Sequence, residues 1–476
     1  MTDSTSGTAI VVGSGPNGLS AALTLARAGL KTTVYEKNPI IGGACRTEEL
    51  IKPGYLHDVG SSIHPLGVVS PFLKTLPLAE NGLQWIVPPA ALAHPLDDGT
   101  AVLLGGSVEE TASRLDASDR KAYAKLMNPL VRRWEEIVAE AMKFPQLPLR
   151  HPFTMLNFGR RALCSAAGFA RGVFSGVRAR ALFAGMGAHS VMNLEAPGSI
   201  AAGLLLTMAA HTPTGWPMPK GGAGGITRAL ATLLVQSGGT IVTDHEIHSL
   251  DQLPADNLLI LDITPEQFLK MGEKQLPDAY KRRLKNYRYG PAVFKIDWIL
   301  DGPVPWKAKE CLRAGTVHLG GTLAEIQSSE AEVQRGLHPE RPFVLLAQPT
   351  LFDRSRASGG DDHIVWAYCH VPNGSTQDMT GRIESQIDRF APGFKERILA
   401  RRVMSPTDFE ADNPNCVGGD IAGGRQGLLK MVLPGLSWTT PMDNVFLCSS
   451  STPPGPGVHG ICGSRAAQAA LRRWRP

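Results

Sequence analysis

The sequence predicts an α/β fold, α+β overall, and three observations carry this prediction. The N-terminal residues contain a strand, a glycine-rich turn, a helix and a second strand within about thirty residues. Residues 107–190 show the apolar period of helices, and residues 290–372 contain several β-rich runs. Because a chain of 476 residues exceeds one ordinary hydrophobic core, we expect two or three domains.

The first element is a nucleotide fingerprint. Gly13, Gly15 and Gly18 lie between a predicted strand, TAIVVGSG, and a predicted helix, GLSAALTLARAG. Gly13 allows a tight turn, Gly15 lets the main chain approach a pyrophosphate, and Gly18 permits close helix–strand packing. Glu36 ends the next strand, where a carboxylate can accept hydrogen bonds from both ribose hydroxyls. This Rossmann-type pattern predicts dinucleotide binding.

A glycine pair, Gly42-Gly43, follows Glu36 and is continued by Ala44, Cys45, Arg46 and Thr47. Such a pair brings a second backbone turn near the ribityl-phosphate side of a flavin nucleotide, and Arg46 can lie beside the pyrophosphate or the flavin. An NAD domain has no standing need for this turn. The run therefore favours FAD, the alternative being an ordinary glycine-rich turn.

The remaining elements alternate in type. Helices are predicted through residues 107–190, and residues 221–242 indicate a glycine-rich entry, a helix and a strand. NLLILDITPEQFLKM indicates a strand, a turn and a helix. At the end, DNVFLCSSS indicates a strand, followed by a PPGPG turn and a helix from about Gly460 to Arg473.

The charge pattern excludes one partner and suggests another. A net charge of +5 without a zinc-finger spacing, an RNA-binding signature or a long basic run gives no reason to expect a nucleic-acid partner. Residues 141–194 contain no acidic residue but seven basic ones, Lys143, Arg150, Arg160, Arg161, Arg171, Arg178 and Arg180. This stretch predicts peripheral contact with an anionic membrane, or else a solvated helical face with Arg side chains packed on the protein.

Cysteine usage and hydropathy predict a cytoplasmic chain that is at most peripheral to a membrane. The seven cysteines are never spaced as Cys-x-x-Cys, which is typical of a reduced compartment. The N-terminal run MTDSTSGTAI lacks the basic and apolar regions of a secretory signal. No run approaches the roughly 18 apolar residues of a spanning helix, and no spacing of His and Cys predicts a metal site.

Three segments together resemble the phytoene desaturase-like flavoproteins. They are the N-terminal run through GGACRTEE, the middle run PMPKGGAGGITRALATLL and the tail SSSTPPGPGVHGICGSRAAQAAL. This family includes carotenoid desaturases and isomerases and retinol saturase, with the amine oxidases around it. The nearest likeness is to the subgroup named for a pyridine nucleotide-disulfide oxidoreductase domain. Disulfide chemistry is nevertheless not expected, because Cys45 has no partner in a short motif.

The resemblance implies an amine-oxidase/phytoene-desaturase-like architecture, in which a Rossmann-type FAD-binding domain is joined to a β-sheet substrate domain and a helical insertion. The implied FAD-binding domain comprises residues 1–66, 214–275 and 431–476. The implied substrate domain comprises residues 67–106 and 276–430, and the helical region comprises residues 107–213.

The resemblance also implies which segments close the FAD site. Gly455, Gly457, Val458, His459 and Gly460 match a motif whose backbone runs beside the flavin ring, where helix N–H groups can stabilise a reduced flavin. The alternative is a surface loop before a final helix. The strand at 241–243 and the LLILDIT strand resemble outer strands of the FAD domain, and Val242 is implied to contact the adenine through its backbone.

The run YLHDVGSSIHPLG, residues 55–67, lies where the family brings a loop past the flavin. His64, Ser61 and Ser62 are expected to face the flavin or the substrate. The alternative is that His57, Asp58 and His64 hydrogen-bond locally and fix the loop. The catalytic residues are thus unknown, with His64 and His459 as candidates.

The predicted cofactor-binding residues are Gly13, Ser14, Gly15, Pro16, Asn17, Gly18, Glu36, Lys37, Gly42, Gly43, Ala44, Arg46, Thr47, Gly60, Ser61, Ser62, Val242, Gly457, Val458 and His459.

The expected function is an FAD-dependent dehydrogenase or desaturase that transfers hydride from a hydrophobic small molecule to flavin N5. Trp298, Trp306 and Trp366 either wall an apolar channel for that molecule or belong to the core. Two alternatives remain open, a flavin-dependent isomerase and a flavin-bearing regulator without turnover. A homodimer is also considered as an assembly.

Overall fold

The computed structural model describes residues 7–143, 149–428, 430 and 436–473. Residues 1–6, on which the expected lack of a secretory signal largely rests, lie outside the described residues. So do residues 144–148 of the arginine-rich stretch and residues 431–435 of the implied third FAD segment.

The strands, numbered in chain order, are β1 Thr8–Val12, β2 Lys31–Tyr35, β3 Thr47–Glu48, β4 His57–Asp58, β5 Trp85–Ile86, β6 Ala90–Pro95, β7 Ala101–Leu104, β8 Met218–Pro219, β9 Thr240–Val242, β10 Leu258–Leu261, β11 Ala292–Leu300, β12 Ala314–Leu319, β13 Val344–Ala347, β14 His363–Val371, β15 Ile398–Met404 and β16 Val445–Leu447.

The helices are α1 Pro16–Arg27, α2 Pro65–Val69, α3 Val108–Arg114, α4 Arg120–Arg132, α5 Trp134–Ala141, α6 Pro152–Ala162, α7 Ala166–Val173, α8 Val177–Ala188, α9 Ala201–Ala210, α10 Gly224–Gln236, α11 Pro265–Met271, α12 Asp278–Lys285, α13 Leu323–Gln334, α14 Thr380–Phe390, α15 Pro406–Asp412 and α16 Ile461–Arg473. Short 3₁₀ turns span Leu73–Thr75, Leu250–Gln252, Lys309–Arg313, Pro349–Leu351, Arg354–Arg356, Lys395–Arg397 and Val417–Gly419.

A parallel sheet holds the fingerprint. Its strand order is β16-β10-β1-β2-β9, and every neighbouring pair is parallel. Strands β10 and β16 are wholly buried and apolar, as is usual where both faces of a parallel sheet are covered. Helices α1, α10 and α16 pack together on one face through Leu19, Leu230 and Ala466.

The sheet corrects one expectation about strand position. The LLILDIT strand, β10, is an inner strand because it pairs with β1 on one side and with β16 on the other. The strand that contains Val242, β9, is an edge strand as expected.

The second sheet is mixed, with the order β15-β11-β14-β13-β12-β6-β7. The pair β12·β6 is parallel, and the other neighbours are antiparallel. Because side chains alternate along a strand, each strand divides its residues between two faces. One face forms a core with α14 around Trp298, Phe294 and Phe390. The opposite face of β14 carries Trp366 and Tyr368, which line the site described below.

The helical region covers part of this sheet. Tyr123 of α4, Phe158 of α6 and Phe183 of α8 share one hydrophobic core with Val102 of β7. No helix within the described ranges is long and apolar enough to cross a membrane.

Candidate functional site

A cavity of about 610 Å³ lies at the carboxyl edge of the parallel sheet. Because all strands of this sheet run the same way, the residues that follow them meet at one edge. Gly13 follows β1, Glu36 follows β2 and Asp262 follows β10, and all three line the cavity. Residues 245–248, after β9, and Ser449, after β16, line it as well.

The glycine loop is closely packed against the first turn of α1. Gly13 has φ +98°, a conformation that favours glycine. A Cβ atom on Gly18 would lie 2.0 Å from the carbonyl oxygen of Gly13, so only glycine fits there. The carboxylate of Glu36 accepts hydrogen bonds from the Ser14 amide at 2.9 Å and the Ser14 hydroxyl at 2.6 Å. The loop is therefore held in place from the end of β2.

Asp262 lies beneath the loop, and the sequence analysis did not single it out. Its carboxyl oxygen Oδ2 accepts a hydrogen bond of 2.9 Å from the Gly18 amide. A Cβ atom on Gly15 would lie 2.9 Å from the same oxygen. Burial, with a contribution from Glu36, raises the pKa of Asp262 to about 7, against the hydrogen bond from Gly18, which lowers it. The rule that identified Glu36, an acid directly after a parallel strand, also applies to LLILD.

The second glycine turn lies beside the first loop. Gly43 and Ala44 line the cavity, and Gly43 has φ +55°. The amide of Gly42 donates to the Ser14 hydroxyl at 3.0 Å, which joins the two turns.

Arg46, which was expected beside the pyrophosphate or the flavin, is not among the residues that line the cavity. Its side chain is buried and forms ion pairs with Glu48 and Asp412. It also donates to the carbonyl oxygen of Gly43 at 2.9 Å. Arg46 therefore fixes the glycine turn from behind because two carboxylates satisfy its charge there.

The tail contributes backbone to the cavity. Gly457 and Val458 line it, whereas the side chain of His459 does not. The Nδ1 atom of His459 accepts from the Ile461 amide at 3.0 Å, so Nε2 carries the hydrogen and donates to the Gly455 carbonyl at 3.2 Å. Burial lowers the pKa of His459 to about 4. This ring braces the turn before α16, which favours the structural interpretation of His459, and its catalytic role stays a prediction.

The structure divides the predicted residues into two sets. Those that line the cavity are Gly13, Ser14, Gly15, Pro16, Asn17, Glu36, Lys37, Gly43, Ala44, Gly60, Ser61, His64, Gly457 and Val458. Those that do not line it are Gly18, Gly42, Arg46, Thr47, Ser62, Val242 and His459. The carbonyl of Val242 accepts from the Glu36 amide at 2.9 Å, and residues 245–248 provide the wall in its place.

The loop before α2 is tied down by a buried acid. Asp58 is fully buried, forms an ion pair with Arg356 and accepts hydrogen bonds of 2.7 Å from the Thr47 hydroxyl and the Ala223 amide. It also accepts from the Ser62 hydroxyl. Although burial alone raises the pKa of Asp58, Arg356 and these hydrogen bonds bring it down to about 2.

His64 differs from its neighbours because its side chain lines the cavity. Its Nε2 atom has no hydrogen-bond partner within the described residues. Burial lowers the pKa of His64 to about 4, so the ring is neutral at physiological pH.

A buried lysine in β11 is a further site residue that the sequence analysis missed. Lys295 lines the cavity, and its ammonium donates to the Asp58 carbonyl at 3.0 Å and to the Asp297 carboxylate. It lies 5.5 Å from the centre of a Trp366 ring. His57 also contacts Asp297, with Nδ1 3.3 Å from Oδ1. In AVFKIDWIL, Lys295 and Asp297 are two residues apart and hence on one face of the strand, which is a signal that the sequence contained.

Two aromatic residues of β14 form one wall of the cavity. Trp366 and Tyr368 stack with ring centroids 6.0 Å apart and planes at 9°. The indole Nε1 of Trp366 donates to the Ser62 hydroxyl at 2.6 Å. Trp298 and Trp306 are core residues on the other face, where they donate to Glu384 and Gln348. The channel prediction therefore applies to Trp366, and the core alternative applies to the other two.

Disulfide chemistry and metal binding find no support in the described part of the chain. All seven cysteines are free, and burial raises the pKa of Cys45 far above its ordinary value. No cluster of three or more His, Cys, Asp or Glu residues within the described ranges is placed to hold a metal ion.

Comparison with known proteins shows which proteins this chain resembles. A family profile described as an NAD(P)-binding Rossmann-like domain matches residues 11–76. Pyridine nucleotide-disulfide oxidoreductase domain-containing protein 2 of Rattus norvegicus is 24% identical over 98% of this chain and 93% of its own. Prolycopene isomerase of Daucus carota is 23% identical over 95% and 78%, and phytoene desaturase of Cercospora nicotianae is 25% identical over 75% and 60%. Over most of its length the chain is therefore similar to phytoene desaturase-like oxidoreductases.

Solved structures show the same fold at lower identity. An oxidoreductase of Methanosarcina mazei aligns over 98% of this chain and all of its own, with a TM-score of 0.65 and 17% identity. Putrescine oxidase aligns over 98% of this chain and 99% of its own, with a TM-score of 0.59 and 15% identity. The predicted amine-oxidase-like architecture is thereby confirmed.

Proposed function

We propose that this chain binds FAD in the 610 Å³ cavity and oxidises a hydrophobic small molecule by removing hydride from it. One observation carries the proposal. The same cavity reaches from the glycine loop and Glu36 to the stacked rings of Trp366 and Tyr368 on the second sheet. A nucleotide cradle and an apolar wall thus share one space, as a flavin dehydrogenase needs.

The residues present fit FAD. The N-terminus of α1 and the glycine loop offer backbone amides to a pyrophosphate, and Glu36 would hold the ribose hydroxyls. Gly43, Ala44 and the backbone of residues 457–458 would hold the rest of the nucleotide. Asp262 repels phosphates less than an ordinary aspartate would, because its raised pKa of about 7 leaves the buried carboxyl about half protonated at neutral pH.

When bound, FAD supplies a hydride acceptor at its N5 atom. The protein side of the chemistry is sparse. His64 stays neutral, with a pKa of about 4, while Lys295 places an ammonium group in the cavity wall. The rings of Trp366 and Tyr368 exclude water from the place where a substrate would lie. A site with so few acid–base groups suits the dehydrogenation of an apolar molecule.

The visible spectrum of the purified protein tests this proposal. After reconstitution we expect the bands of oxidised flavin, with one FAD retained per chain through gel filtration. Anaerobic addition of polyenes, retinoids, cyclic hydrocarbons and their oxygenated derivatives should identify a class that bleaches those bands. A protein that retains no flavin contradicts the proposal.

The similarity to a prolycopene isomerase keeps a redox-neutral isomerase as a second candidate. That reaction would convert its substrate only after the flavin has been reduced and would leave the flavin reduced. Retained flavin that no hydrophobic compound bleaches or isomerises would instead support the third alternative, a flavin-bearing regulator.

A further inference from the structure

A second, smaller cavity of about 130 Å³ adjoins the large one. The two share the side chains of Ile63, Leu206, Trp366 and Tyr368 in their walls. A molecule in the smaller cavity would therefore lie beside the space assigned to the cofactor.

The size and walls of this cavity suit a ring-sized molecule. A cavity of roughly 150 Å³ in another protein binds benzene, so 130 Å³ accommodates a single ring and not a long chain. Leu206, Trp216 and Leu345 add apolar surface to the stacked rings of Trp366 and Tyr368. None of the described residues that line it carries a formal charge, so a cation or a carboxylate would be buried here without an opposite charge from them.

A histidine pair forms the polar end of the cavity. His189 lines it, and its Nε2 atom lies 3.0 Å from Nε2 of the fully buried His318. Burial lowers the pKa of His189 to about 4 and the pKa of His318 as well. Both rings are therefore neutral, and one Nε2 atom must donate to the other.

The surroundings of His318 decide which ring donates. Its Nδ1 atom is buried without a partner in the described part of the chain and lies so close to Gly185 that a Cβ there would be 2.6 Å away. Since a buried N–H without an acceptor is rarer than a bare acceptor, His318 keeps its hydrogen on Nε2 and donates to His189. His189 then carries its own hydrogen on Nδ1.

A second donor lies on the same side. The hydroxyl oxygen of Thr316 accepts from the indole of Trp216 at 2.9 Å, and its own hydrogen has no acceptor among the described residues. Thr316 and His318 are two residues apart on β12 and thus on one face of the sheet. Both Thr316 and His189 line the cavity, so it offers donors to an oxygen atom.

We propose that this cavity is the substrate pocket and that it selects a compact, ring-sized apolar molecule carrying one neutral oxygen acceptor, held by His189 and Thr316. The term substrate rests on the proposed flavin function, whereas the selection of the ligand rests on the cavity alone.

The test compares cyclohexanone with methylenecyclohexane, which has the same shape with a CH₂ group in place of the oxygen. Dissociation constants for the FAD-reconstituted protein are measured by equilibrium partition and gas chromatography. We compare the ratio of the two dissociation constants between variants. A change in the general hydrophobicity of the pocket affects both ligands alike and therefore cancels in this ratio. In His189→Leu we expect this ratio to shift against cyclohexanone by about three- to tenfold, the worth of one hydrogen bond.

Three variants serve as controls. His189→Gln retains an N–H donor and should keep most of the wild-type ratio. His363→Leu makes the same substitution as His189→Leu at a residue outside both cavities, so it should leave the ratio unchanged. Leu345→Phe fills the pocket and should abolish binding of both ligands, which tests the location even if His189→Leu fails to fold.

An unchanged ratio in His189→Leu overturns the proposed selection, and undiminished binding in Leu345→Phe overturns the location. The proposed function fails separately. If the protein retains no FAD, the flavin activity is contradicted, while the same ligand ratio measured on the flavin-free chain still decides the pocket.

Discussion

Asp262 places a second acid under a loop that is built to receive phosphates. Its pKa of about 7 lies well above the ordinary value of 3.8, so the folded state binds a proton that the unfolded state releases between these values. The unfolding free energy must therefore fall as the pH rises from about 4 to 7. Asp262→Asn removes this dependence and keeps an oxygen for the Gly18 amide.

We expect the variant to gain stability over the wild type across that pH range by up to about 4 kcal/mol, the equivalent of three pKa units. Urea unfolding of the flavin-free proteins between pH 4 and 8 measures the difference. If the two pH profiles run parallel, Asp262 titrates normally and the loop tolerates its charge.

Gly43 gives a second residue-scale prediction because it combines a positive φ with a place in the cavity lining. Gly43→Val fills part of the nucleotide space beside Gly15 and should lower FAD affinity at least about tenfold, the effect of roughly 1.4 kcal/mol of lost contact. Gly29 has φ +91° in open space, so Gly29→Val carries a comparable backbone strain and should retain FAD. Equal losses of FAD in both variants would assign the effect to strain. Flavin fluorescence titration measures both.

At the scale of elements, helix α6 of the arginine-rich stretch has the exposed apolar face that the membrane hypothesis needs. Its inner residues Phe158 and Ala162 are buried, whereas Phe153 is 85% and Leu156 is 70% exposed. Arg160 lies one turn after Leu156 and is also exposed. An outward face of this kind is typical of helices that lie on anionic lipid.

Other arginines of the stretch follow the alternative expectation, because they pack on the protein. Arg171 forms an ion pair with Glu195, and Arg178 donates to the Thr100 hydroxyl and to two backbone carbonyls. The membrane proposal therefore narrows from residues 141–194 to the outer face of α6.

We expect Phe153→Ser with Leu156→Ser to reduce binding to phosphatidylserine vesicles by about tenfold or more, given the worth of two buried apolar side chains. Co-sedimentation at low and high salt measures this. Val235→Ser on α10 removes a side chain that is 58% exposed and should change nothing. Absence of wild-type binding at low salt ends the proposal.

The elements could be predicted where local pattern decides structure. The strand–loop–helix run at Gly13 and the final helix follow from apolar spacing and glycine turns, so both lie where the sequence analysis expected them. The role of Arg46 could not be predicted, because its partner Asp412 is distant in sequence and is brought close only by the tertiary fold. The partners of His459 are local, but its role depends on the conformation of the turn before α16. Lys295 was missed because its strand is otherwise largely apolar, although its partner Asp297 lies two residues away on that strand. Its other partner, the carbonyl of Asp58, is brought close only by the tertiary fold.

At the scale of the whole molecule, one buried ion pair connects a segment beside the parallel sheet to a segment of the mixed sheet. Asp58 of β4 accepts from the Ala223 amide at the start of α10, which packs on the parallel sheet. Its partner Arg356 follows β13 of the mixed sheet and also pairs with Asp353. All three charged side chains are buried, so removing one leaves the others without full compensation.

Asp58→Asn should therefore destabilise the protein by about 3–5 kcal/mol, the usual cost of breaking a buried pair. The sign of the pH dependence follows from the same acid. Its pKa of about 2 lies below the ordinary 3.8, so its stabilisation is complete above pH 4 and is lost as the pH falls towards 2. The variant should lose this part of the acid dependence.

The location of the pair also predicts how unfolding proceeds. In the wild type, flavin release and tryptophan fluorescence should follow a single thermal transition, because Asp58 and Arg356 couple the cradle to the mixed sheet. In Asp58→Asn we expect flavin release to precede the tryptophan transition, since most tryptophans outside the cradle keep their core. Asp361→Asn removes an acid that is exposed on the same segment as Arg356 and should keep the two transitions together. Coincident transitions in Asp58→Asn would show that the two sheets are joined by their packing and not by this ion pair.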